Sequence, residues 1–89
     1  MNSHTNWVLQ IDQTVHKFLR RLPRRDVARL LVVLNSLPQD PFRGDIQKMQ
    51  GEENVWRRRV GAYRIRYELI PQGKAIYVFL VERRTSATY

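Results

Sequence analysis

Arginines dominate the chemistry this sequence can offer. Arg57, Arg58 and Arg59 stand together, Arg64 and Arg66 follow after a short gap, and Arg83 and Arg84 lie near the C-terminal end. A guanidinium is a planar fork of donors that grips phosphate bidentately and stacks on bases. It is permanently protonated, so it stabilises negative charge and removes no proton. Such a cluster suits the electrostatic part of a reaction at a phosphodiester. In RNA the 2′-hydroxyl is a built-in nucleophile, and a protein needs only to align it, stabilise the pentavalent phosphorane and manage two protons. Tyr89, the last residue, carries no claim by its position alone, because chain ends are commonly disordered.

Other chemistries lack their residues. There is no cysteine, so thiolate catalysis and a disulfide framework are excluded. His4 falls in a polar tail and His16 has no partner at helical spacing, so they form neither a metal pair nor a catalytic dyad. Residues 54–89 hold only two acids, Glu68 and Glu82, a poor set for Mg²⁺ beside phosphate. No metal and no cofactor is expected. The charge distribution points the same way. Lys and Arg total 16 against 8 Asp and Glu, for a net charge of +8. Residues 1–53 hold 8 cations and 6 anions, whereas 54–89 hold 8 cations and the two glutamates. A field this concentrated favours a polyanionic partner.

Strand alternation sorts the arginines onto faces. Val55–Val60 and Tyr63–Leu69 read as strands about Gly61-Ala62, a two-residue loop with Gly first, as a type II′ hairpin requires. Arg57 and Arg59 then share one face of the first strand, opposite Trp56, Arg58 and Val60. In the second, Arg64, Arg66 and Glu68 share a face, and Tyr63, Ile65, Tyr67 and Leu69 share the core-like one. Arg57, Arg59 and Arg64 meet across the hairpin as one cationic surface. Like charges opposite each other on a sheet are destabilising, and an anionic ligand explains why they are tolerated.

The rest of the chain must position that hairpin. Residues 1–5 read as a polar tail and 6–89 as one domain. Asn6–Ile11 is a short strand with Trp7, Leu9 and Ile11 on one face. Asp12 caps a helix in which Val15, Phe18, Leu19 and Leu22 recur at i, i+3, i+4, i+7. Pro23 interrupts it and suits the first turn of a second helix, where Val27, Leu30, Leu31 and Leu34 repeat the spacing. Arg20, Arg21, Arg24, Arg25 and Arg29 read as solvated helix surface. Pro38–Asp45 is loop, Pro71–Lys74 a turn, and Ala75–Val81 a continuous apolar run typical of a central strand. The expected order is β-α-α-β-β-β. No apolar run reaches the ~20 residues that span a bilayer and no secretory signal opens the chain, so a cytoplasmic location is expected.

Lys48-Met49-Gln50-Gly51 and Trp56-Arg57-Arg58-Arg59-Val60-Gly61-Ala62-Tyr63-Arg64-Ile65-Arg66-Tyr67-Glu68 together resemble the central signature of the RelE/ParE toxin superfamily. Phe18–Pro23 and Asp40-Pro41 also fit, and the likeness spans roughly residues 6–89. It implies an α+β fold, a small mostly antiparallel sheet with two N-terminal helices packed on it. It implies a toxin of a type II toxin–antitoxin system, of the RelE type: a metal-independent, ribosome-dependent mRNA endoribonuclease. Its partners would be a cognate antitoxin, mRNA in the ribosomal A site and ribosomal RNA, with no membrane. By the same resemblance Arg57, Arg59, Arg64, Tyr89 and a C-terminal arginine form the catalytic set, with Arg58 and Arg66 binding RNA. Counting from Tyr77 selects Arg84; counting back from Tyr89 selects Arg83. Arg58 occupies a position usually apolar, where Trp56 is expected to stack on it, and the histidine many relatives carry near the C-terminal arginine is absent. The competing readings are a ParE-like DNA gyrase inhibitor without nuclease activity, and a basic RNA-binding module or inactive family member.

Overall fold

A computed structural model describes residues 6–84. The sheet has five strands in the order β1-β5-β4-β3-β2. β1 (Val8–Ile11) is followed by α1 (Gln13–Leu19), α2 (Arg24–Ser36), β2 (Ile46–Lys48), β3 (Val55–Val60), β4 (Tyr63–Ile70), a short 3₁₀ turn and β5 (Ala75–Arg83). β1 lies parallel to β5, and the remaining pairings are antiparallel. The fold is thus α+β with a mostly antiparallel sheet, and the apolar run after the second turn is an interior strand, paired on both sides by β1 and β4.

One strand escapes the sequence reading. Ile46–Lys48 pairs with Arg58–Trp56 as an edge strand. At three residues it has no alternation to detect, and it forms because β3 offers it an edge.

Local chemistry explains the helix breaks. Asp12 has extended backbone and its Oδ2 accepts from the Thr14 N–H at 3.0 Å and from the Thr14 hydroxyl. That satisfies donors orphaned at the helix start. Its Oδ1 accepts from the Tyr77 hydroxyl, which ties the α1 cap to β5. Pro23 stands one residue before α2, as its N-cap. Asp26 in the first turn of α2 complements the helix dipole and accepts from the Tyr63 hydroxyl at 2.6 Å.

The helices cover one face of the sheet. Val15 and Leu19 of α1, and Leu30, Leu34 and Leu37 in and beyond α2, meet Tyr63, Ile65, Tyr67, Leu69, Ile76, Val78 and Val81. Leu31, expected in that stripe, is instead 40% exposed. Leu30, Leu34 and Leu37 follow i, i+4, i+7 and fill the seam, and Leu31 is turned about 100° from Leu30. Tyr67, fully buried, donates its hydroxyl to the Pro41 carbonyl and so anchors the loop after α2. Among the described residues the second face of the sheet carries no helix, and Arg57, Arg59, Arg64 and Arg66 lie there.

Candidate functional site

The β3–β4 hairpin sets the geometry. Gly61 has φ 58° and Ala62 does not share it, as expected of a type II′ loop, in which only the first central residue has positive φ. This tight turn fixes the register: Arg59 lies opposite Arg64, and Arg57 opposite Arg66. Because directly opposed residues share a face, these four arginines form a compact basic patch on the uncovered side of the sheet. The next strand adds Glu82 opposite Arg64.

The partners of these arginines differ. Arg57 donates to the Gln47 side-chain oxygen from the edge strand. Arg59 lies 4.0 Å from Asp45, with both side chains well exposed, a separation and exposure at which an ion pair contributes little. Arg66 pairs with Glu82 at 3.2 Å. The Nε atoms of Arg64 and Arg66 are shielded from solvent and make no hydrogen bond. Arg64 is half-buried, and no described carboxylate lies within ion-pair distance of it. A shielded guanidinium donor without an acceptor is costly, and an incoming phosphate oxygen would satisfy it.

Not every arginine from the sequence reading reaches this patch. Arg58 points to the opposite face, and its Nη1 donates to the Arg43 carbonyl at 2.8 Å. Its guanidinium lies over Gly44, where an added Cβ would sit 2.3 Å from Cζ. It clasps the loop between α2 and β2, which is how an arginine occupies a position that is usually apolar. Trp56, expected to stack on Arg58, meets the Phe42 ring edge-on at 5.5 Å. On the structure Arg58 is therefore placed as a loop clasp, away from the basic patch.

Arg83 and Arg84 also part company. Arg83 pairs with Tyr63 in register, and its guanidinium lies 5.8 Å from the Tyr63 ring, on the helix-covered side. Arg84 donates its backbone N–H to the Ala62 carbonyl at 2.6 Å. That bond continues the β4–β5 ladder one residue further, and alternation then puts Arg84 on the face of Glu82 and Arg64. Tyr89 lies outside the described residues. The helix arginines Arg20, Arg21, Arg24, Arg25 and Arg29 are exposed, although Arg29 reaches over Gly61 and would meet an added Cβ at 3.0 Å.

The tyrosines of β4 and β5 are held protonated. Tyr63 is pushed above its ordinary value by its hydrogen bond to Asp26 and by burial. Tyr77 is raised by its bond to Asp12 and then by burial. Burial takes Tyr67 up to about 12. These three act as structural donors, and none is poised to accept a proton near neutrality.

The comparisons agree with this architecture. Residues 9–87 match the family model for the ParE toxin of type II toxin–antitoxin systems, parDE. The chain is 26% identical over 82 residues to the putative toxin RelE1 of Methanocaldococcus jannaschii, covering 89% of this chain and 91% of that protein. Among solved structures, the archaeal RelE–RelB complex from Pyrococcus horikoshii OT3 superposes with a TM-score of 0.80 at 26% identity, over 92% of this chain and 99% of that one. The isolated E. coli RelE toxin, at 19% identity, shares the fold with a TM-score of 0.78 over 91% of this chain and 87% of that one. The chain belongs to the ParE toxin family of type II toxin–antitoxin systems, within the RelE/ParE superfamily, and it shares its fold with RelE toxins.

Proposed function

We propose that this toxin is a ribosome-dependent mRNA endoribonuclease, and that the patch of Arg57, Arg59, Arg64 and Arg66 is its active surface. The observation that carries the reading is the paired register of those arginines beside a shielded, unsatisfied Arg64 donor. The 2′-hydroxyl of the substrate attacks the adjacent phosphorus and the bond to the 5′-oxygen breaks, leaving a 2′,3′-cyclic phosphate. Arg64 stabilises the charge growing on the phosphorane oxygens. Arg57 and Arg59 hold the backbone around the scissile phosphate. Arg84 neutralises charge on the leaving 5′-oxygen, which takes up a proton from solvent as it departs, and Tyr89 orients the substrate. Arginine cannot serve as the base, so Tyr89 or a ribosomal group takes the hydroxyl proton. That need explains why cleavage would depend on the ribosome and not on a metal.

The partners follow from the same reading. A cognate antitoxin covers part of the arginine surface, as the RelB chains assembled with RelE in related structures suggest. Charge complementarity would speed that association. The other partners are mRNA in the A site and ribosomal RNA, in the cytoplasm.

The family match itself, to a ParE toxin, favours a second reading: inhibition of DNA gyrase without nuclease activity. Purified toxin added to programmed ribosomes discriminates the two. Under the first reading the mRNA is cut within the A-site codon, free RNA of the same sequence is barely cut, and EDTA changes neither result. Intact mRNA together with loss of gyrase supercoiling would select the second.

A further inference from the structure

The uncovered face has a second feature that phosphate binding leaves unexplained. β5 bulges where it passes β4. Arg66 pairs with Leu80 and Tyr67 with Val78, so Phe79 has no partner. The extra residue breaks the alternation after Phe79: Val78 is buried under the helices, whereas Phe79 and its neighbour Leu80 are both only half-buried. Bulges re-aim side chains and are over-represented beside active sites. Here Phe79, on the uncovered face at the bulge, lines a concavity of about 290 Å³ that it shares with Met49, Gln50, Glu52, Val55 and Arg66. That is the volume of about ten waters, room for one heterocyclic base.

The lining suits such a guest. The Phe79 ring, Met49 and Val55 offer apolar surface to the faces of a flat ring, and base–aromatic stacking is a recurrent source of single-strand affinity. Tyr77 extends the platform, with its ring centroid 6.3 Å from that of Phe79. Gln50 and Glu52 bring an amide and a carboxylate to the rim, groups that can hydrogen-bond a base edge. Their connection is tied to the sheet, because the Met49 N–H donates to the Val55 carbonyl at 2.8 Å and Lys48 Nζ donates to the Glu52 carbonyl at 2.9 Å. Arg66 belongs to both places. It stands opposite Arg57 in the basic patch and forms a wall of the concavity.

We infer that this concavity is a nucleobase subsite, which takes the base of a nucleotide next to the phosphate held by the arginines. Phe79 stacks on that base, and Gln50 and Glu52 contact its edge. The inference rests on the reading that RNA is the substrate, and its test separates the two. Ribosomes are programmed with mRNA carrying 2′-O-methyl groups across the A-site codon, which blocks cleavage and fixes the register. Each codon nucleotide, and the one after it, is replaced in turn by an abasic unit, and binding of labelled toxin is followed by anisotropy.

One abasic position should weaken binding of the wild-type protein about tenfold, the loss expected for one stacked base. In Phe79→Leu, which keeps an apolar side chain and is checked for folding by circular dichroism, that position should no longer matter. Phe79→Tyr, which keeps the ring, should restore the dependence. Tight binding with the same abasic profile in Phe79→Leu and wild type would overturn the subsite and leave the nuclease reading standing. So would a Phe79→Tyr profile that matches Phe79→Leu. Absence of wild-type binding to these ribosomes, together with no cleavage of the same mRNA lacking the 2′-O-methyl groups, would overturn the nuclease reading and the subsite with it.

Discussion

Arg59 and Arg64 stand directly opposite each other across the β3–β4 hairpin, two permanent cations where a sheet ordinarily puts partners that attract. Pairs of this kind are destabilising, so the arrangement trades stability for a focused positive field. Asp45, on the loop, lies at 4.0 Å from Arg59 and offsets little of that repulsion. A bound phosphate would relieve it, and that assigns the two residues to a shared task.

Arg64→Ala should therefore lower single-turnover cleavage on ribosomes by about 10²–10³, the usual loss for one electrostatic donor. Its circular dichroism should be unchanged and its thermal midpoint no lower, because a repulsive contact is removed. Arg24→Ala, on the exposed surface of α2, is the control and should cleave at the wild-type rate. Wild-type cleavage by Arg64→Ala, or equal loss in Arg24→Ala, would remove the hairpin as the active surface.

Arg58 should behave in the opposite way. Its bond to the Arg43 carbonyl and its seat on Gly44 make it a structural clasp, so Arg58→Ala should lower the thermal midpoint while the folded fraction cleaves normally. Gly44→Ala should cost more than the roughly 1–2 kcal/mol of left-handed backbone strain at φ +92°, because the added Cβ also pushes the guanidinium off the Arg43 carbonyl. In an Arg58→Ala background the collision is gone and only the backbone strain of roughly 1–2 kcal/mol remains. A double-mutant cycle by urea unfolding reads that difference. Strict additivity would show that the two residues do not touch in solution.

The same clasp shows where sequence reasoning stops. Strict alternation in β3 and β4 was enough to bring Arg57, Arg59, Arg64 and Arg66 to one face, because a period of two leaves no freedom once the turn is placed. Alternation also put Arg58 on the covered side, but its acceptor is a carbonyl 15 residues away, and that long-range pairing has no local signature. β2 was invisible for lack of length. The bulge at Phe79 was hidden because Ala75–Val81 is apolar throughout, and a continuous run carries no phase to be broken. The choice between Arg83 and Arg84 likewise depends on register at the strand end, which counting from either side could not supply.

Acid and alkali should act on different anchors. The Thr14 hydroxyl, the Tyr77 hydroxyl and the Thr14 N–H together hold Asp12 down at about 2, from an ordinary 3.8. Between those values the unfolded chain binds the extra proton, so stability falls with falling pH. The contribution of Asp12 is complete above 3.8 and lost as pH drops to about 2. Tyr67 is the reverse: burial raises it from 10.0 to about 12, so its contribution is complete below 10 and lost as pH climbs to 12. Urea midpoints measured across pH should show a shallower acid limb in Asp12→Asn and a shallower alkaline limb in Tyr67→Phe. A wild-type acid limb in Asp12→Asn would mean that the α1 cap is not what acid breaks.

Arg83 and Arg84 provide the last separation, because the chain turns these neighbours to opposite sides. Arg83 lies over the Tyr63 ring at 5.8 Å, and Tyr63 is itself bonded to Asp26 of α2. An exposed cation–π contact contributes about 0.5–1 kcal/mol. For a domain of this size Arg83→Ala should then lower the thermal midpoint by about 2–8 °C, with little effect on cleavage. Arg84 continues the ladder at Ala62 and by alternation faces the patch of Arg64, while its side chain is exposed. Arg84→Ala should leave the midpoint within about 2 °C and reduce cleavage by at least tenfold, since the lost group is a charge near the leaving oxygen. Arg84→Lys should recover part of the rate, because the charge survives and only the fork geometry is lost. Scanning calorimetry and single-turnover cleavage on the same four proteins decide the matter. If Arg83→Ala is the inactive variant and Arg84→Ala the unstable one, the β4–β5 register breaks at Arg83 and the assignment reverses.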